Sequence, residues 1–175
     1  GTGAARPSPF PPAALLEPLP HFLAGAPPAR PAPASTVWDA AIGARQPLRI
    51  LVAEDNPVNR KVIQAMLRRF GYTADYVANG VEAVAAVAAA DYDVVLMDVQ
   101  MPELDGQEAT RRIRTQLPPE RQPRIVAVTA NAFEDQRKHY LTVGMDDYIS
   151  KPIEPALLAA VLERAWQEVS ERVSR

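Results

Sequence analysis

LRILVAEDNPVN, residues 48–59, runs from a short apolar stretch into an acidic pair, Glu54-Asp55, and then into an Asn-Pro step that opens a pattern of helical spacing. A short, continuous apolar run of this kind fits a strand buried on both faces of a parallel sheet. DVVLM (93–97) and RIVAV (124–128) have the same character, so the three runs are expected to form the centre of one sheet. YTADYV (72–77) is more mixed and DDYIS (146–150) more polar, which suits the two edges.

Helical patterns lie between these runs. Val58, Val62, Ile63, Met66, Leu67 and Phe70 recur at helical spacing and stop at Gly71, a helix-ending signal. A second helix is expected over 80–90, with Val81, Val84 and Val87 on one face, and a third over 106–116 before Pro118-Pro119. A fourth should span 132–142 before Gly144, and a fifth 155–172 with Leu158, Val161, Leu162, Ala165 and Trp166 inward. Five strands, each followed by a helix, imply an α/β fold: a doubly wound five-stranded parallel sheet with right-handed crossovers. The edge and centre assignments favour the order 2-1-3-4-5, which places the ligand crevice beyond the carboxyl ends of strands 1 and 3.

Proline marks a second region. Eleven of the 18 prolines fall in residues 1–47, where they interrupt helices and central strands and favour extended or irregular chain. This Pro/Ala-rich segment reads as a linker or as an arm that docks through Leu15, Leu16, Leu19, Phe22 and Leu23, and residues 48–175 as the folded domain. A short helix with Ser35 as N-cap and Gly43 past its end is also expected. The chain opens on Gly1-Thr2-Gly3 without Met, as expected of a fragment.

Composition narrows function. The chain has 175 residues, a net charge of −2 with both signs interspersed, and no cysteine. The charge balance gives no electrostatic reason to expect nucleic acid or an anionic membrane as a partner. The absence of cysteine excludes disulfides, thiol catalysis and cysteine-based metal sites. No apolar run approaches the roughly 18 residues that span a bilayer, and the start lacks the order of a signal peptide.

The chemistry gathers at the strand ends. Strand 1 ends in Glu54-Asp55, strand 3 in Asp98, strand 4 in Thr129 and strand 5 in Lys151-Pro152. Singly, each reads as a cap or an incidental loop residue. Together, the sheet order brings three carboxylates into one crevice, a repulsion best relieved by a hard divalent cation. An oxygen-only donor set without histidine favours Mg²⁺.

Four segments carry a family resemblance: ILVAEDNPVNRKV (50–62), DVVLMDVQMPELDGQEATRRIR (93–114), IVAVTANAF (125–133) and GMDDYISKPI (144–153). In this order they resemble the signature blocks of receiver domains of two-component response regulators, most closely the receivers of hybrid sensor histidine kinases. The resemblance covers about 48–170 and implies the flavodoxin-like (βα)5 receiver fold. It implies Asp98 as the phosphoacceptor, with Mg²⁺ held by Glu54, Asp55, Asp98 and the backbone carbonyl of Gln100. Lys151, the Thr129 hydroxyl and the Ala130 amide would engage the phosphoryl oxygens. Lys151-Pro152 would be cis. Thr129 and Tyr148 would be the switch pair, acting on the face of the fourth helix, fifth strand and fifth helix. Gly106 would allow the turn into the third helix or serve as a plain turn residue.

The implied function is acceptance of a phosphoryl group from a phosphohistidine, with a histidine kinase or a histidine phosphotransfer domain as partner and a receiver homodimer as a further possibility. The implied setting is a bacterial, cytoplasmic protein, or the cytoplasmic part of a membrane-bound sensor kinase. No DNA-binding output domain is expected after the fifth helix. Two alternatives stay open. One is a pseudo-receiver acting as an interaction module, against which the intact Glu54, Asp55, Asp98, Thr129 and Lys151 argue. The other is a Mg²⁺-dependent aspartyl-phosphate phosphatase, which would want an acid two residues past its nucleophile, where Asp55 is followed by Pro57 and Asp98 by Gln100. His21 and His139 lack the sequence context of a phosphorylated histidine.

Overall fold

A computed structural model describes residues 38–131 and 133–175. Five parallel strands, β1 (Ile50–Ala53), β2 (Ala74–Val77), β3 (Val94–Asp98), β4 (Arg124–Thr129) and β5 (Asp147–Ser150), form one sheet in the order β2-β1-β3-β4-β5. All residues of β1 and β3 are buried, whereas β2 and β5 are mostly half-exposed, as the apolar and mixed runs predict. Among the described residues six α-helices accompany the strands: α1 (Ile42–Arg45), α2 (Pro57–Arg69), α3 (Gly80–Ala89), α4 (Gly106–Gln116), α5 (Glu134–Val143) and α6 (Pro155–Val173).

The sheet separates two apolar layers. Ile50, Val52, Leu96, Val126 and Val128 pack with α2 and α6 on one side. Leu51, Ala53, Val95, Met97, Ile125 and Ala127 pack with residues of α3, α4 and α5 on the other. Alternate residues of each strand face opposite layers, so the central strands are apolar on both faces except at their ends. On α6, Leu158, Val161, Leu162 and Ala165 are buried and Trp166 packs partly against them.

Two helix faces differ from expectation. Val58 and Val62 are 66% and 45% exposed, and Ile63, Leu67 and Phe70 carry the buried stripe. Val81 is also exposed, whereas Val87 is buried and Val84 half-buried as expected, and Gly80 and Ala83 turn inward beside them. Small residues there let α3 come close: a Cβ on Gly80 would lie 2.3 Å from the Leu104 carbonyl oxygen. Close approach has won over apolar bulk.

Residues 38–47, read from sequence as the end of a linker, pack on the domain. Trp38 stacks on Phe70 with ring centroids 5.0 Å apart, and the Arg69 guanidinium lies 4.1 Å from the Trp38 ring. Tyr72 donates its hydroxyl to the Gln46 carbonyl at 2.9 Å. Gly71, at φ +83°, adopts the left-handed conformation that ends α2, and there the two backbones meet: a Cβ on Gly43 would lie 2.2 Å from the Gly71 oxygen. The short helix spans Ile42–Arg45, so Gly43 lies inside it instead of after it, and the cap expected at Ser35 falls outside the described residues. The apolar pairs at 15–23 and His21 also lie outside them.

Candidate phosphoryl-transfer site

Register assembles the site. Ala53 pairs with Met97, which sets Glu54 level with Asp98; Asp98 pairs with Val128, so Thr129 stands one residue further along. Thr129 pairs with Ser150, which leaves Lys151 just beyond the end of β5. Because parallel strands all present their carboxyl ends on the same edge, residues 54, 98, 129 and 151 converge although nearly 100 positions separate the first from the last.

Each side chain is then held locally. Asn56 caps α2: its side-chain oxygen accepts from the amides of Val58 and Asn59 at 2.8 and 3.3 Å, and Pro57 occupies the first helical turn. The Asn56 amide in turn donates to Glu54 Oε1 at 3.0 Å. Arg60, one turn into α2, donates to the Glu54 carbonyl oxygen at 2.9 Å. On the other side, a Cβ at Gly106 would lie 2.2 Å from the Asp98 carbonyl oxygen, so the glycine lets the start of α4 abut the strand that carries Asp98. Gly106 therefore serves close packing; as the first residue of α4 without a left-handed φ, it is not required by the turn. The Lys151-Pro152 bond is cis.

Asp98 is 3% and Glu54 1% exposed, whereas Asp55 is exposed. Asp98 Oδ1 accepts from the Gln100 amide at 3.0 Å, and Oδ2 accepts from Lys151 Nζ at 3.0 Å. The same ammonium lies 3.1 Å from Glu54 Oε2. Burial, reinforced by the charge of Asp98, pushes the Glu54 carboxyl above its usual range despite the Asn56 amide and Lys151. Burial also disfavours the Lys151 ammonium, but the hydrogen bond and charge of Asp98, and then the negative charge of Glu54, outweigh it and raise the lysine.

Oxygens of Glu54, Asp55 and Asp98 all lie within 4.8 Å of one another. Glu54 Oε2 is buried and, although near Lys151, lacks a hydrogen-bond partner of proper geometry. One lysine against three carboxylates and an unsatisfied buried acceptor fit a hard cation with oxygen ligands. Beside this cluster opens a cavity of about 140 Å³ lined by Glu54, Asn59, Val62, Ile63, Lys151, Pro152 and Ile153.

Thr129 is 5% exposed and its hydroxyl is fully engaged, by Asn131 and by the phenol of Tyr140 at 3.0 Å. Tyr148 is half-buried on the edge strand, with the Arg137 guanidinium 5.8 Å from its ring centroid. Ala130 is exposed at the end of β4. His139 is exposed and bonded to Gln107, away from the cluster. The residues that sequence reading did not single out are Asn56, Arg60 and Tyr140. The Asn-Pro step signals the Asn56 cap; no local pattern signals the other two, whose contacts arise from folding.

A family model described as the response regulator receiver domain matches residues 50–163. The chain belongs to the receiver domain family. Among its relatives, hybrid signal transduction histidine kinase H of Dictyostelium discoideum is 44% identical over 128 residues, covering 71% of this chain and 9% of that kinase. The chain thus spans a small fraction of the length of this curated relative. A crystal structure of the receiver domain of sensor histidine kinase PA1611 from Pseudomonas aeruginosa, with magnesium coordinated in the active-site cleft, is 47% identical at a TM-score of 0.62. It covers 69% of this chain and 98% of that one. The receiver domain of Ssk1, solved with the histidine phosphotransfer protein Ypd1 of Saccharomyces cerevisiae, is 27% identical at a TM-score of 0.60, covering 66% and 86% of the two chains. These relatives include eukaryotes, so the comparison does not support the expectation of a bacterial source. Among the described residues no helix is long and apolar enough to cross a membrane.

Proposed function

We propose that this receiver domain accepts a phosphoryl group from a phosphohistidine onto Asp98 in a two-component phosphorelay. The observation that carries the reading is the buried Asp98 carboxylate at the end of β3, flanked by Lys151 at 3.0 Å and by two further carboxylates. Lys151 and the Gln100 amide hold the carboxylate in place. An Asp98 oxygen attacks phosphorus while the phosphorus–nitrogen bond of the donor breaks, its electron pair leaving with the imidazole. Lys151 then pairs with the phosphoryl oxygens, and the Thr129 hydroxyl and Ala130 amide donate to them. Glu54, Asp55, Asp98 and the Gln100 carbonyl would hold Mg²⁺, which supplies charge neutralisation on those oxygens.

Engagement of Thr129 by the phosphoryl group vacates space into which Tyr148 turns, biasing the surface of α5, β5 and α6. A histidine kinase or a histidine phosphotransfer domain is the partner this chemistry requires. The hybrid-kinase relatives and the Ssk1–Ypd1 complex support that kind of partner and a receiver within a longer sensor kinase, for which we propose a cytoplasmic setting. In this reading residues 48–175 are the receiver and residues 1–47 a linker or arm whose last stretch, 38–47, packs on it.

The test is incubation with a phosphorylated histidine phosphotransfer protein. The reading expects a Mg²⁺-dependent label that hydroxylamine releases and that Asp98→Asn abolishes. Label retained in Asp98→Asn, or stable to hydroxylamine, overturns it.

A further inference from the structure

Tyr140 has no role in the chemistry above, yet it reaches the site from α5. Its side chain is 4% exposed, and its hydroxyl lies 3.0 Å from Thr129 Oγ1 in a buried contact. Thr129 Oγ1 also accepts from the Asn131 amide at 3.1 Å and donates to the Asn131 carbonyl at 3.2 Å. A threonine hydroxyl has one proton and two lone pairs. With its proton on Asn131, Thr129 accepts from the Asn131 amide and from Tyr140, and its hydrogen-bonding capacity is exhausted.

To donate to a phosphoryl oxygen on Asp98, Thr129 must give up the Asn131 carbonyl and draw away from the phenol. Withdrawal leaves a buried tyrosine hydroxyl without its hydrogen-bond partner, and such a group is costly to leave unpaired. Tyr140 and Tyr148 also line one small cavity of about 30 Å³, with Arg137, Leu141, Asp146 and Asp147. The two tyrosines are thus neighbours across one small space.

We propose that Tyr140 is a positioning residue whose hydroxyl holds Thr129 in its resting place and so lowers the affinity of the domain for a phosphoryl group on Asp98. The inference rests on Asp98 being the phosphoacceptor. Its action is through Thr129 alone, since the ring merely fills the layer of α3, α4 and α5.

The experiment is titration of the full chain with beryllium fluoride at fixed Mg²⁺, followed by amide chemical shifts, for the unaltered protein, Tyr140→Phe, Thr129→Ala and the double variant. Tyr140→Phe keeps the ring and deletes the bond; it is expected to bind the probe about three- to tenfold more tightly, the range for one hydrogen bond. In the Thr129→Ala background the same change is expected to have no effect, a coupling that a purely structural role would not produce. Equal or weaker binding by Tyr140→Phe, or an equal gain in both backgrounds, overturns the inference. No binding by the unaltered chain overturns the phosphoacceptor reading and this inference with it, whereas binding that ignores Tyr140→Phe overturns this inference alone.

Discussion

Lys151→Ala separates the electrostatic account of the site from a merely topological one. Its ammonium lies 3.0 Å from Asp98 and 3.1 Å from Glu54, both nearly fully buried. At an effective permittivity of about 20, each contact corresponds to roughly 5 kcal/mol of gross attraction. Desolvation and the ordering of a long side chain offset much of that. Deleting one member of a buried pair typically costs about 3–5 kcal/mol because a charge is left uncompensated. The lysine side chain is 24% exposed, so the lower end, about 3 kcal/mol, is expected. For a domain of this size that is a fall of about 6–12 °C in Tm. The assay is thermal unfolding with and without Mg²⁺. A cation bound by the same carboxylates replaces the lost charge, so Mg²⁺ should raise the Tm of Lys151→Ala more than that of the unaltered chain. Binding at ten times Kd contributes about 1.4 kcal/mol. Unchanged stability without Mg²⁺, or an equal Mg²⁺ response in both proteins, would refute the reasoning.

Three further outcomes follow. Gly106→Ala puts a methyl group 2.2 Å from the Asp98 carbonyl oxygen, and backbone cannot rotate away; chemical denaturation should show a loss of about 1–3 kcal/mol, and a neutral result would mean that α4 does not abut the strand. Trp38→Ala removes the stack on Phe70 and the Arg69 contact, so urea unfolding should show a loss of about 1–2 kcal/mol; no loss would mean that residues 38–47 do not dock in solution. Burial pushes the Tyr72 phenol up to about 12 from an ordinary 10.0. A raised group stabilises the fold fully below the unfolded value, and that contribution is lost as pH climbs from about 10 to about 12. Tyr72→Phe should therefore show a shallower alkaline decline in unfolding free energy than the unaltered chain, and parallel curves would contradict the burial argument.

How much of this was legible beforehand follows from what each signal encodes. The three central strands are buried and apolar along nearly their whole length because helices cover both faces, with polar residues only at their ends, so LRILVA, DVVLM and RIVAV announce themselves and the strand order follows. Helix faces were harder. Val58, Val62 and Val81 look like core residues, yet which side of a helix meets the sheet depends on neighbouring elements, and at α3 close approach favoured Gly80 and Ala83. The strand-end residues Glu54, Asp98, Thr129 and Lys151 were legible because a parallel sheet collects all carboxyl ends on one edge. Arg60 and Tyr140 were not, since a guanidinium on a backbone oxygen and a phenol on a threonine leave no periodic trace. The Trp38–Phe70 stack was hidden for the same reason, lying in a segment whose prolines speak only against regular structure.

The most direct test of the whole account is to locate the phosphoryl group after treatment with acetyl phosphate and Mg²⁺, by intact mass followed by peptide mapping. The account predicts one added phosphoryl group per chain, on Asp98. A group mapped to Asp55, to Glu54 or to a histidine, with Asp98 unmodified, would contradict it.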